Sequence, residues 1–214
     1  MKRVAAIAGL GLLLLSRLVV SASAHPHVWV TMHAEVQYGA DGRMFAIRHT
    51  WAFDDMFSTY ALQGIAHARK GQYTREELKP LAKVNVTSLK EFDFFTYAKA
   101  DGRKAVFADP VDYWLDYNDS ILTLHFTLPL KTPVAAKTML IEVYDPTIFV
   151  DFELAKDKPV TLSGAPPQCR LSVGLPHQPT AAEQLRLSQL DANPLDPSDT
   201  YGEMFANKIQ VQCP

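Results

Sequence analysis

Two histidines, His25 and His27, stand where a cleavable export signal would end. The preceding Ala22-Ser23-Ala24 has the small-x-small pattern that signal peptidases recognise. Cleavage after Ala24 would make His25 the first residue, so that its α-amine and imidazole could chelate one metal ion together. Nitrogen donors of this kind suit Ni(II), Cu(II) and Zn(II). The start of the exported chain is therefore the first candidate metal site.

Pro26 limits how such a start can bind a metal. A peptide of the amine-X-His type uses deprotonated backbone amides, and proline has no amide hydrogen to lose. The remaining mode joins the amine and ring of His25 to a second histidine. We expect His27 in that role. His33 is a further candidate because it shares a strand face with His27.

A predicted β-hairpin adds another candidate ligand. Apolar and polar residues alternate over 27–38, a turn follows at Gly39-Ala40-Asp41-Gly42, and strand-like residues resume over 43–53. If Gly42 takes the left-handed position after a type I turn, His33 faces His49 across the hairpin. His49 is therefore a further candidate metal ligand.

Asp54 and Asp55 lie where the second strand gives way to a predicted helix. A carboxylate at this point can cap free backbone N–H groups at the start of the helix. Asp54 could instead complete the metal site at the end of the hairpin. Both interpretations stay open at the level of sequence.

The N-terminal segment predicts export to the periplasm. Lys2 and Arg3 precede an apolar run over residues 4–15, which favours a signal peptide over residues 1–24. That run is short for a transmembrane helix, and no later segment is long and apolar enough to span a bilayer. Without the three basic residues of the signal, 18 Lys and Arg remain against 23 Asp and Glu. This negative balance argues against a nucleic-acid partner.

The two cysteines, Cys169 and Cys213, favour a disulfide in an oxidising compartment. The alternative is a pair of free thiols. Their spacing is unlike that of zinc motifs, so a cysteine metal site is not expected.

The remaining pattern predicts one β-rich α+β domain over residues 25–214. We expect antiparallel sheets in a sandwich-like arrangement, with a helix-loop-helix inserted at about 54–93. The first helix covers 54–68, the second opens at the capping box Thr74–Glu77, and a short helix covers 180–192. The later strands are expected at 94–99, 103–108, 112–117, 120–127, 138–144, 148–154, 159–163 and 169–174.

The loop between the two predicted helices has the outline of an EF-hand, but calcium binding is not expected. Its first, third and fifth ligand positions are Ala66, Ala68 and Lys70, whereas calcium requires oxygen ligands there. The chain also lacks the Gly-x-Ser-x-Gly, His-Glu-x-x-His and phosphate-loop motifs of common hydrolases. Asp145-Pro146-Thr147 has the composition of a turn, with Asp145 able to bond the following backbone.

Three segments together resemble the domain-of-unknown-function 1007 family. They are His25-Pro26-His27-Val28-Trp29-Val30, then Trp51-x-Phe53-Asp54, then Tyr144-Asp145-Pro146-Thr147 with the aromatic-rich Phe149 to Phe152. The resemblance implies an exported proteobacterial protein of the kind labelled as an ABC-type transport system periplasmic component. It also implies a link to nickel, cobalt or zinc traffic. Family members often carry an acidic loop between the two helices, from which this chain departs.

These observations lead to an expected function. The protein would be a periplasmic accessory protein that binds a divalent transition metal, Ni, Co, Zn or Cu, and serves an inner-membrane metal transporter. One alternative is a copper redox protein with an N-terminal histidine brace. Another is a metal-free module that binds an envelope partner through its β edges. The first prediction is therefore a binding protein and not an enzyme.

Overall fold

The computed structural model describes residues 26–69, 71–190, 195 and 201–214. The predicted signal peptide, the candidate ligand His25 and Lys70 lie outside the described residues. The described chain forms two β-sheets with three α-helices. The predicted β-rich α+β class is therefore confirmed.

The first sheet has six strands. In spatial order they are β5 (Val111–Asn118), β6 (Ile121–Val134), β2 (Met44–Phe53), β1 (Val28–Tyr38), and then β8 (Val150–Leu154) and β9 (Val160–Ser163). The first four are antiparallel. Both β8 and β9 run parallel to β1 and pair with successive parts of its free edge.

The second sheet has five antiparallel strands. In spatial order they are β10 (Arg170–Gly174), β11 (Asn207–Gln212), β7 (Thr138–Val143), β3 (Thr96–Ala100) and β4 (Arg103–Ala105). Strand β11 was not among the strands predicted from the sequence. Cys169 precedes β10 and Cys213 follows β11, and the predicted disulfide between them is present.

The inner faces of the two sheets share one hydrophobic core. Met32 and Trp51 contribute from the first sheet, and Ile141, Ile209 and Val211 contribute from the second. Alternation along each strand sends the intervening side chains to the outer faces. The core therefore lies between the sheets, as in a sandwich.

The inserted helices are α1 (Asp55–Ala61) and α2 (Arg75–Ser88), followed by a 3-10 turn at Leu89–Phe95. The predicted capping box of Thr74 and Glu77 opens α2. The predicted first helix ran to residue 68, but α1 ends at Ala61, and the left-handed Gly64 follows in a turn. Helix α3 (Ala181–Leu187) is likewise shorter than the predicted 180–192.

The hairpin between β1 and β2 contains a bulge that changes its register. Gly42 has a φ of +74°, as predicted, and Tyr38 pairs with Met44. Phe45 is then skipped in the pairing, which shifts the rest of the hairpin by one residue. After a shift of one residue, two side chains that were expected to face each other lie on opposite faces of the sheet.

The expected pairing of His33 with His49 is therefore wrong. His33 pairs with Thr50 on the outer face, and His49 pairs with Ala34 and faces the core. The His49 ring is fully buried and stacks on Phe126, with 4.9 Å between the ring centroids.

The His49 imidazole is held in its neutral form. Its Nε2 lies 3.3 Å from Thr96 Oγ1, and its Nδ1 has no hydrogen-bond partner within the described residues. Burial lowers the pKa of His49 from 6.5 to about 3, because the apolar core disfavours the charged ring. This histidine is thus a core residue that joins the two sheets.

Replacing His49 with leucine should remove a pH dependence of stability. In the unfolded chain His49 takes up a proton near pH 6.5, whereas in the folded chain it stays neutral down to about pH 3. The free energy of unfolding should therefore fall by about 1.4 kcal/mol per pH unit below pH 6 because of this one group. Urea unfolding between pH 6 and pH 4 would measure the slope for the wild type and for His49→Leu. Identical slopes would contradict the assignment.

Removing the disulfide should destabilise the second sheet. The bond closes a loop across a sequence separation of 44 residues, so its loss increases the entropy of the unfolded chain. The double variant Cys169→Ser/Cys213→Ser should lose about 2–4 kcal/mol of unfolding free energy. Urea unfolding with and without reductant provides the control, since reductant should affect only the wild type. Coincident transitions for both proteins without reductant would refute the prediction.

Candidate functional site

A cavity of about 330 Å³ lies next to Pro26, at the start of β1. Its lining includes the residues of β8, residues 175–179 and Leu187 of α3. Its polar lining consists mainly of side chains that can accept hydrogen bonds or bind cations: Asp145, Asp151, Glu153, His177 and Asn207. The cavity is therefore the main concentration of candidate ligands near the predicted mature N-terminus.

Asp145 builds the loop that leads into β8. Its Oδ1 accepts hydrogen bonds from Thr147 N–H at 2.8 Å and from Thr147 Oγ1 at 2.7 Å, and its Oδ2 accepts one from Val150 N–H at 3.0 Å. Burial raises the pKa of Asp145. The predicted turn role is confirmed. With both oxygens engaged by the turn, Asp145 positions β8 and is a poor candidate for a metal ligand.

Asp151 and Glu153 are the carboxylates with the freest oxygens in the cavity. They lie on one face of β8, two residues apart, and Asp151 is the parallel partner of Trp29 on β1. Burial, with a smaller contribution from the charge of Glu153, raises the pKa of Asp151. No ion pair among the described residues includes either carboxylate. A cation in the cavity would offset the mutual repulsion of the two carboxylates.

Asn207 adds a buried acceptor at the end of the second sheet. Its Nδ2 donates to the carbonyl of Phe152, whereas its Oδ1 has no hydrogen-bond partner within the described residues. An unpaired buried amide oxygen is unfavourable unless a donor or a cation reaches it. Asn207 thus lines the cavity from a strand that was not predicted from the sequence, with its amide oxygen buried.

His177 is tied to the start of α3. Its Nε2 lies 3.0 Å from Glu183 Oε2, and Glu183 also accepts a hydrogen bond from Thr180 N–H in the capping box of that helix. The hydrogen bond with His177, followed by those with Thr180, lowers the pKa of Glu183 to about 2. The pair fixes the imidazole at the cavity wall with one ring nitrogen engaged.

The predicted histidine ligands on β1 are separated by the fold. His27 is exposed, its ring centroid lies 4.8 Å from that of Phe149, and its N–H donates to the Phe149 carbonyl. His33 is on the same outer face but roughly 20 Å further along the strand. Its Nδ1 is 3.4 Å from the Lys158 carbonyl. These two histidines therefore do not meet at one ion.

The other two candidates also lie apart from the cavity. His49 is in the core, as described above. Asp54 caps α1 by accepting from Phe57 N–H at 2.7 Å, and its second oxygen accepts from Trp29 N–H at 2.9 Å. Asp54 thus fastens the first helix to β1. Across the described residues, which exclude His25, no group of three or more His, Cys, Asp or Glu side chains has the geometry of a metal site.

A second polar cluster was also missed by the sequence analysis. His125 Nδ1 lies 3.2 Å from Thr50 Oγ1, and His125 Nε2 lies 3.4 Å from Asp116 Oδ2. This order of hydroxyl, imidazole and carboxylate is that of a nucleophilic triad. However, Asp116 is also bonded by Arg75, the first residue of α2, and by Trp114 Nε1. The cluster is better explained as a set of hydrogen bonds and an ion pair that hold α2 against β5.

Known proteins resemble this chain over long stretches. An uncharacterized protein of Haemophilus influenzae is 24% identical over 196 residues, which cover 89% of this chain and 91% of the relative. An uncharacterized 15.5 kDa protein in the trpE 3' region of Spirochaeta aurantia is 31% identical over 93 residues, which cover 43% of this chain and 66% of the relative.

Within the described residues, no helix has both the length and the apolarity needed to cross a membrane.

The profile of the family described as "Protein of unknown function (DUF1007)" matches residues 10–213. Because that match covers almost the whole chain, the protein belongs to the DUF1007 family, as the resemblance of its sequence motifs predicted.

Proposed function

We propose that this protein is a periplasmic accessory protein that captures a divalent transition-metal ion and passes it to an inner-membrane metal transporter. The metal is cargo in this proposal. One observation supports it above the others: Pro26, the residue directly after His25, borders the cavity that contains Asp151 and Glu153. If export exposes His25 as the first residue, the chelating residue is covalently joined to one that borders that cavity.

The donor set fits a transition-metal ion. Two nitrogens from His25 would be joined by carboxylate oxygens from Asp151 and Glu153 of β8. Mixed nitrogen and oxygen ligands suit Ni(II), Co(II) and Zn(II). His27 is directed toward Phe149, so we propose Asp151 and Glu153 as the completing ligands in place of His33, His49 and Asp54.

The openness of the arrangement supports a transfer role over a structural one. Structural metal sites are closed, with all ligands held by the folded chain. Here one pair of ligands would come from the chain terminus and the others from a partly exposed strand face. An ion bound in this way has open coordination positions through which an acceptor protein can take it.

The exported protein should bind Ni(II), Co(II) or Zn(II) in a one-to-one complex that depends on His25. Calorimetric titration would compare the wild type with His25→Ala and Asp151→Asn, after mass spectrometry has established the N-terminus. Loss of the amine–imidazole chelate should weaken binding by more than the roughly 100-fold that loss of an outer-shell partner costs. Asp151→Asn should weaken it by at least about 10-fold, because a neutral amide replaces a charged ligand and loss of even a supporting partner costs about 10- to 100-fold.

His67→Ala is the matched control, since it removes an exposed histidine from the loop before α2, which does not line the cavity. It should leave the affinity unchanged. A Gly-Ser extension placed before His25 tests the chelate itself, because it moves the free amine away from the imidazole. If the extended protein or His25→Ala binds the metals as tightly as the wild type, the proposed site is wrong.

A further inference from the structure

An open groove of about 580 Å³ lies beside β4, the last strand in the order of the second sheet. Its lining combines residues 100–101 and 103–106, in and around β4, with residues 131–135, at and just after the end of β6. None of these residues lines the cavity beside Pro26. The groove is therefore a second candidate binding site, separate from the proposed metal site.

Pro133 explains why the chain leaves a gap at this point. Two backbone hydrogen bonds join the segment after β4 to β6, and the nearer of them runs from Lys131 N–H to Val106 C=O at 2.8 Å. Both bonds obey one antiparallel register. Continued by two residues, that register places Lys104 opposite Pro133, which would have to donate to the Lys104 carbonyl. Proline has no N–H to donate, so the ladder cannot continue and the groove follows.

The backbone of Lys104 points to the open edge of β4. Asp101, directly after β3, donates its N–H to the C=O of Thr138 in β7. Backbone groups alternate in direction along a strand, so Ala100 directs its own groups to β4, where Arg103 is its partner. By the same alternation, the N–H and C=O of Lys104 point away from β3. That edge is the one that bonds to β6 two residues later, so it borders the groove.

The lining of the groove carries more positive than negative charge. Arg103, Lys104 and Lys131 are exposed, and Asp101 is the only carboxylate among the described residues of the lining. Asp101 already accepts two hydrogen bonds from β7. The pair of Lys104 with Asp93, at 3.9 Å, joins two largely exposed side chains and contributes little. A lysine on a short edge strand protects it from aggregation, whereas three cations from two strands around one groove indicate an anionic ligand.

We propose that this groove binds an extended acidic segment of a partner protein, which joins the open edge of β4 as an added strand. In that complex the backbone of the segment pairs with Lys104, and its carboxylates lie beside Arg103 and Lys131. Main-chain hydrogen bonds supply affinity in complexes of this kind, and side chains supply specificity. A phosphate group or an anionic lipid would meet the same cations but would leave the open edge unpaired.

The dimensions of the groove set the length and composition of the segment. Strand β4 has 3 residues. An extended residue spans about 3.4 Å, so a segment of roughly three to five residues matches this edge. Val106 is 46% exposed and lines the groove beside the cations. Alternating carboxylate and β-branched side chains therefore suit it, and β-branched residues also favour the extended conformation.

Two peptides of the same charge separate strand addition from simple charge attraction. The probe acetyl-Glu-Val-Glu-Val-Glu-amide has the required composition, and its companion carries a methyl group on each inner backbone nitrogen. With ¹⁵N-labelled protein and no added metal, the probe should bind saturably. At saturation it should slow hydrogen exchange of the Lys104 amide at least about tenfold, because that N–H becomes hydrogen-bonded. The methylated peptide should bind about tenfold more weakly, because it cannot donate main-chain hydrogen bonds.

Arg103→Gln/Lys131→Gln tests the charge of the groove without altering the backbone of Lys104. It should weaken binding of the probe about tenfold, as expected for the loss of two exposed charge pairs. Lys83→Gln/Lys156→Gln is the matched control, since it removes the same charge from exposed lysines outside the groove. At physiological ionic strength it should change the affinity by less than about twofold, because distant exposed charges are screened.

Several outcomes would overturn the proposal. They are no saturable binding of the probe, equal affinity for the methylated peptide, unchanged exchange at Lys104, and equal losses in the groove variant and the control variant. Inorganic phosphate and vesicles of phosphatidylglycerol are titrated in parallel. If either binds through Arg103 and Lys131 while the probe does not, the groove is an anion site of another kind and the strand-addition proposal is wrong.

Discussion

Strand β1 is hydrogen-bonded along both of its edges, and this pairing positions Asp151, Glu153 and His49. On one side it forms the hairpin with β2, and on the other it pairs in parallel with β8 and β9. The parallel pairing brings Asp151 beside Trp29, more than a hundred residues away in sequence. The antiparallel pairing, shifted by the bulge at Phe45, sends His49 into the core. Both consequences follow from the register of one strand.

Local chemistry was sufficient to predict the features that depend on neighbouring residues. The turn at Gly42, the capping box of Thr74 and Glu77, and the turn built by Asp145 all involve side chains that bond to backbone a few residues away. The disulfide was predictable because the chain offers only one pair of cysteines. The bulge at Phe45 was not predicted from the turn, because a turn fixes the register of a hairpin only up to the first irregularity in its strands.

The periodicity of the two strands already indicated that His33 and His49 lie on opposite faces of the sheet. On β2 the buried side chains of Ile47, Trp51 and Phe53 share the parity of His49, whereas His33 has the parity opposite to the buried residues of β1. Two residues on opposite faces of a sheet cannot bind one ion. Periodicity could not show which strand pairs with the N-terminal segment. The contacts between β1 and β8, and between Asn207 and Phe152, join distant parts of the chain.

The alternation of β8 also explains how two cavities of different chemistry lie so close together. Asp151 and Glu153, on one face of the strand, line only the acidic cavity, while Val150 and Phe152, on the other face, line both it and an apolar cavity of about 160 Å³ at the inner face of the sheet. Binding in one cavity could influence the other only through an element with two alternative arrangements. A strand held by a continuous ladder to β1 offers a single arrangement, so the wall residues that the two cavities share stay fixed with it. The carboxylates can then serve a cation on one face of the sheet without rearranging the inner face.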